Sequence, residues 1–218
     1  MIYAAGLDLG QLQDPSALVI CEAHGKLYQM NTPMGVKQFE GPPFERLDIR
    51  HVERFPLGTK YAQICQMVWD RVQAAPRPNY LAIDQTGVGN GVIEIFGGIN
   101  PVGVTFTSGK AAQQTGPTSW NVPKRDLVAR VVVAVQNGVL RIAKTLPHAD
   151  LLIRELLNFR AKISLAGNDS YEAWRERDHD DLVFAVALAA WMAEWVLRLD
   201  YAAGTAAGPQ TPFSISPI

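Results

Sequence analysis

The 218-residue chain has little cysteine, almost no net charge and no uninterrupted apolar run of membrane length. Its two cysteines, Cys21 and Cys65, stand far apart in sequence. They form neither a disulfide framework nor a Cys-x-x-Cys metal site, which excludes a stapled secreted scaffold and a structural zinc site and fits a reducing cytoplasm. The formal charge is -1, from 20 Lys and Arg against 21 Asp and Glu. No global positive field therefore attracts nucleic acid, and such a partner needs a local basic face. The opening segment Met1-Ile2-Tyr3-Ala4-Ala5 lacks the basic region of a secretory signal and runs straight into a strand pattern. The longest apolar stretch, Leu182 to Leu199, carries Glu194 and Arg198, so it reads as a buried helix and no membrane partner is expected.

What is present is enough apolar material for a true core: 48% of residues are hydrophobic and 19% charged. Strands are expected over Ile2 to Leu9, Ser16 to Ala23, Lys26 to Met30 after a turn at His24-Gly25, Leu47 to Phe55, Tyr80 to Asp84, Val102 to Thr107 and Val139 to Ile142. Helices are expected over Lys60 to Gln73, Lys124 to Gln136, His148 to Phe159 and Asp180 to Leu199, with Asn137-Gly138 ending the second of these. A glycine-rich turn from Gln85 to Gly91 opens a short helix, Ser108 to Pro123 reads as a polar moving segment, and Ala161 to Trp174 as a hairpin turning at Gly167-Asn168. Strands first, then alternating helices and strands, describe an α/β protein with a mixed sheet and helices on both faces. One domain over residues 1–200 and a flexible tail over 201–218 are expected.

Three acidic positions fall where a chain presents side chains at the rim of a sheet. Asp8 ends the first strand, with Gly10 behind it to allow a close approach. Asp84 ends Tyr80-Leu81-Ala82-Ile83 and leads into Thr86-Gly87-Val88-Gly89. Asp180 and Asp181 open the apolar last helix. Each has a plain alternative, a turn residue for the first two and a helix cap for the last pair. Together they offer a cluster of like charges that persists only if cations neutralise it, and hard oxygen ligands suit Mg²⁺ or Mn²⁺.

The ordered set of motifs carries a specific likeness. Gly6-Leu7-Asp8-Leu9-Gly10, then Asp14-Pro15-Ser16-Ala17-Leu18-Val19, resembles the opening of the nuclease domain of bacteriophage large terminases. Asp84-Gln85-Thr86-Gly87-Val88-Gly89 resembles their second acidic motif, and His179-Asp180-Asp181-Leu182-Val183-Phe184-Ala185 their closing one. Val122-Pro123-Lys124, Asn137-Gly138-Val139-Leu140 and Leu156-Leu157-Asn158-Phe159 occur in similar order, so the likeness spans nearly all of residues 2–199. It implies a ribonuclease-H-like fold and a DNA endonuclease using two Mg²⁺ or Mn²⁺ ions. Asp8, Asp84 and Asp181 would be the catalytic metal-binding triad, Asp180 an alternate or supporting ligand, and His179 a residue orienting a carboxylate or water. It also implies double-stranded DNA as substrate with little sequence preference, a packaging ATPase, portal or small terminase subunit as partners, and the host cytoplasm as location.

Large terminases carry an ATPase motor ahead of this region. Here the nearest candidate, Gly103 to Lys110, has the wrong glycine spacing and Ala111 where a Mg²⁺-binding Ser or Thr would stand. An excised or separately encoded nuclease is therefore expected. Half of the 20 Lys and Arg fall between positions 124 and 177, and Lys124, Arg160 and Lys162, near the polar segment or the expected hairpin, are the candidates for contacting DNA phosphates. Trp191 and Trp195 read as core. Three other readings share parts of the pattern: a Holliday-junction resolvase, separable by branched substrates; an actin-like or sugar-kinase-like ATPase, separable by ATP hydrolysis; and a packaging module with structural acids, separable by a lack of Mn²⁺ binding.

Overall fold

Successive side chains of a strand point to opposite faces, and β1 (Ile2–Asp8) is apolar on both, so it must lie inside a sheet covered from two sides. The computed structural model, which describes residues 1–10, 14–25, 44–77, 79–88, 90–166 and 180–205, places β1 there. On one side β1 pairs antiparallel with β2 (Ala17–Gly25), and β2 antiparallel with β3 (Phe44–Arg54). On the other it runs parallel to β4 (Asn79–Asp84), followed by parallel β5 (Val102–Thr107). A hairpin of β6 (Gln113–Gly116) and β7 (Ser119–Pro123) completes that edge, with β7 parallel to β5. β8 (Leu140–Ile142) closes the opposite edge beside β3. The eight strands lie in the order β6-β7-β5-β4-β1-β2-β3-β8.

Helices cover both faces. α1 (Tyr61–Ala74) buries Ile64, Val68 and Val72, a stripe at four-residue spacing, against one face, joined by the short α2 (Asn90–Ile95). α3 (Lys124–Gln136), α4 (Ala149–Ala166) and α5 (Asp181–Thr205) cover the other. α5 is apolar all round and buried continuously from Leu182 to Ala193, as a helix enclosed by sheet and helices should be. Among the described residues no helix is long and apolar enough to cross a membrane. Trp191 is buried and stacks with Trp195 against Trp120 of β7, so both α5 tryptophans belong to the core. Cys21 and Cys65 are free thiols.

One contact sets the depth of α5. A Cβ placed on Gly6 would lie 2.1 Å from the Ala185 carbonyl oxygen and 2.6 Å from the Ala189 amide nitrogen. The helix backbone thus rests directly on β1, which the missing Gly6 side chain and the small Ala185 and Ala189 together permit.

Four expectations differ from the structure. His24 and Gly25 continue β2 instead of turning, because their backbones stay paired with Arg46 and Phe44; residues 26–43, including the expected strand from Lys26, lie outside the described residues. The polar segment Ser108 to Pro123 is largely a hairpin: β6 and β7 form from Gln113 on, with Val122 and Trp120 on the core side while the polar β6 faces solvent. Residues 161–166 extend α4 rather than starting a hairpin, since Ala161-Lys162-Ile163-Ser164-Leu165-Ala166 contains no helix breaker; the rest of that segment, through His179, is outside the described set. α5 continues through Thr205 into what the sequence reads as tail.

Candidate metal centre at the sheet rim

The parallel register of β1 and β4 pairs Leu7 with Ile83, so Asp8 and Asp84 follow side by side at the carboxyl ends of adjacent strands. Alternation puts both on the α5 face, since Ala4 and Ala82, an even number of residues back, belong to the core under α5. α5, seated on Gly6, brings its first residue Asp181 to the same rim. The Asp8 carboxyl is pushed well above the ordinary range, first by burial, then by the charges of Asp84 and Asp181, with Lys124 opposing and a side-chain hydrogen bond with Asp84 adding to the rise. Two carboxyl groups share a hydrogen bond only when one holds a proton, so without a cation this cluster keeps protons that solvent-exposed carboxylates would lose. Asp8 is half-buried at the strand tip, while Asp84 and Asp181 are buried, at 7% and 9% exposure.

The turn after Asp84 is fastened to β5. Asp84 Oδ1 accepts from the Thr86 amide at 2.7 Å, the Gln85 amide donates to the Val104 carbonyl at 2.9 Å, and the Phe106 amide donates to Thr86 Oγ1 at 2.8 Å. The Gln85 side chain lies over Gly103 and donates to Thr105 Oγ1 at 2.9 Å, and Gly87 takes φ +79°. Asp84 is thus a turn residue and a member of the acidic cluster at once. At Gly10 the close approach comes from the loop itself: a Cβ there would lie 2.0 Å from the Asp14 carbonyl oxygen, and the Gly10 amide donates to Ser16 Oγ at 3.0 Å.

Asp180 occupies the cap position of α5, its carbonyl accepting from the Phe184 amide at 3.0 Å, with its side chain buried. Two residues that the sequence reading did not single out complete this end. Arg54, the last residue of β3, reaches Glu155 of α4 through Nη2, and the same nitrogen donates to Asp181 Oδ2 at 3.2 Å. Glu155 Oε2 in turn accepts from the Leu182 amide at 3.2 Å, in the first turn of α5. Burial pushes the Glu155 carboxyl up to about 7, with Asp181 adding to the rise and Arg54 and the Leu182 amide offsetting part of it. Its signal was present in the sequence: Glu155 lies on the same helical stripe as the buried Leu152 and Phe159, so an acid was pointing into the core.

Lys124 begins α3, and its Nζ lies 4.5 Å from the centre of the Phe184 ring, near enough to Asp8 to oppose its protonation. Asp8, Asp84, Asp181 and Lys124 are therefore brought together. Arg160 and Lys162 fall on α4 with side chains outside the described set, and His179 lies outside the described residues.

A different trio, Glu22, His24 and Asp48, also has ligand atoms within 4.8 Å of one another. It is already compensated: Arg50 Nε donates to Glu22 at 2.8 Å, Arg46 Nε lies 3.0 Å from Asp48, Arg46 Nη2 lies 2.6 Å from His24 Nε2, and Tyr3 donates to Glu22 at 3.0 Å. Two guanidinium groups supply the positive charge there, on the sheet face opposite Asp8. The rim cluster gathers carboxylate oxygens, the donors that Mg²⁺ and Mn²⁺ prefer.

No family model matches the chain, and no curated protein matches it. Among solved structures, it is similar to the crystal structure of the large terminase nuclease from thermophilic phage G20c, with a TM-score of 0.53 and 19% sequence identity. The similarity covers 86% of this chain and 80% of that one. The eight-stranded mixed sheet flanked by helices is a ribonuclease-H-like fold.

Proposed function

We propose that the protein is a divalent-metal-dependent DNA endonuclease, of the kind that cuts viral genomes during packaging. The observation that carries this reading is the meeting of Asp8, Asp84 and Asp181 at one rim of the sheet, where the charges of Asp84 and Asp181 both push the Asp8 carboxyl up. These three would hold Mg²⁺ or Mn²⁺, with Asp180 beside them and His179 available to orient a ligand. When bound, a pair of such ions supplies activation of water and stabilisation of the leaving oxygen of a phosphodiester. The protein's own part is to hold the acids in fixed relation through the paired tips of β1 and β4 and the buried start of α5. Lys124, at the margin of the cluster, would meet a phosphate of the bound strand, with Arg160 and Lys162 extending the basic face. The likeness to a phage terminase nuclease supports double-stranded DNA as substrate, a packaging motor, portal or small subunit as partner, and the host cytoplasm as location.

The test is cleavage of supercoiled plasmid by the full chain. Mn²⁺ or Mg²⁺ should support nicking and linearisation, Ca²⁺ should bind with little turnover, and EDTA should abolish the reaction. Parallel assays on a four-way junction separate a junction resolvase from an enzyme of linear duplex. Cleavage that survives exhaustive EDTA treatment, or none with any divalent ion, would remove this reading.

A further inference from the structure

Asp181 does not face the centre unaided. Its Oδ2 accepts from Arg54 Nη2 at 3.2 Å, and that same nitrogen is held by Glu155. Glu155 then uses its second oxygen to accept the Leu182 amide at 3.2 Å, so one carboxylate fixes both the guanidinium and the first turn of α5. β3, α4 and α5 are tied at a single point, and that point is a prospective metal ligand. Arg54 is mostly buried, with 18% of its side chain exposed, and among the described residues its Nε meets no hydrogen-bond partner, while Nη2 makes both contacts.

The charges have a further sense. A lone arginine against Asp181 would orient the carboxylate but repel an approaching divalent cation. A lone glutamate would add a fourth acid beside a cluster already hard to ionise. As a pair they cancel, leaving geometry without net charge. We propose that Arg54 and Glu155 are positioning residues for the metal centre: together they fix the direction of the Asp181 carboxylate while neutralising each other. This inference rests on the metal-dependent reading above and names the residues through which that centre is held.

The test is Mn²⁺ binding to the full-length chain near pH 8, followed by loss of the free-ion electron paramagnetic resonance signal, with plasmid cleavage alongside. Arg54→Met and Glu155→Gln should each weaken Mn²⁺ binding by about tenfold, within the range for groups that orient ligands. They should lower kcat while leaving KM for DNA unchanged. The double variant should lose no more than either single one, because the two act as one unit. Arg54→Lys, which keeps one charged nitrogen able to reach both carboxylates, should stay within about threefold of the parent. Thermal unfolding in EDTA checks that each variant folds. Should Arg54→Met fail to fold, Glu155→Gln and Arg54→Lys carry the test by themselves.

Tighter Mn²⁺ binding by Arg54→Met would overturn the proposal, since Arg54 would then be a competing cation. Losses that multiply to about a hundredfold in the double variant would overturn it too, as would a Glu155→Gln protein that binds and cleaves like the parent. If the parent itself binds no Mn²⁺ that depends on Asp84, the metal centre fails, and this inference with it. If the parent binds and cleaves while the variants match it, only this inference fails.

Discussion

At the residue scale, Asp84 separates catalysis from folding. Asp84→Asn keeps an acceptor for the Thr86 amide and removes one negative charge from the cluster with Asp8 and Asp181. The metal-free variant should unfold at the same temperature as the parent or higher, because like-charge repulsion is relieved. Cleavage should fall by at least about a hundredfold, since removing a ligand costs no less than disturbing its supports. A variant that cuts normally would take Asp84 out of the site. The raised carboxyls of Asp8 and Glu155 also set a pH dependence. From their ordinary values near 4 up to about 7 for Glu155, the folded protein holds protons that the unfolded chain has released. Stability in EDTA should therefore fall as pH rises through that window, by up to about 1.4 kcal/mol per pH unit for each proton. Burial also pushes Glu22 and Glu53 up. Their hydrogen bonds and neighbouring arginines outweigh it and hold both below the ordinary range, so their contribution is lost only at lower pH and leaves this window unchanged. A thermal midpoint that stays level or climbs from about pH 5 to about pH 7.5 would contradict the buried cluster.

At the scale of elements, Gly6 governs where the last helix lies. Gly6→Ala puts a methyl into the backbone of α5 at Ala185 and Ala189, with no flexible side chain to move aside. The expected cost is about 3 kcal/mol, hence a fall of roughly 6–12 °C in midpoint for a chain of this size. Because α5 carries Asp181, cleavage should fall even at temperatures where the variant is fully folded. A variant with parental stability would mean that α5 shifts freely over β1. The same comparison shows what could be read without coordinates. β1 and β4 were legible because apolar runs ended in acids at positions that alternation and pairing turn into neighbours, and α3 because Gly138 takes φ +65° just beyond its end. β6 was not, because its Gln113-Gln114 edge is paired through backbone bonds that leave no hydrophobic pattern. Helical spacing alone could mark Glu155 as a buried acid, but its pairing with Arg54 arises from a contact 101 residues apart in sequence, which local spacing cannot reveal.

At the scale of the whole molecule, a net charge of -1 means that any grip on DNA is local. Binding measured with the Asp84→Asn protein should be weak and fall steeply with added salt. Adding Lys124→Ala should weaken it alike for unrelated sequences and flatten the salt slope by about one ion. Marked sequence preference, or an unchanged slope, would argue against Lys124 as a phosphate contact. The order in which the chain supplies its acids has a temporal meaning as well. Asp8 and Asp84 lie on adjoining central strands, but Asp181 arrives on the last described helix, after all eight described strands. At about 5–20 residues per second, roughly ten to thirty seconds of synthesis separate the first acid from the third. Throughout that interval the nascent chain lacks both the third acid and the helix that covers β1. A ribosome-bound or prematurely ended product that stops before Asp181 would thus hold only two of the three acids on which the proposed cleavage rests.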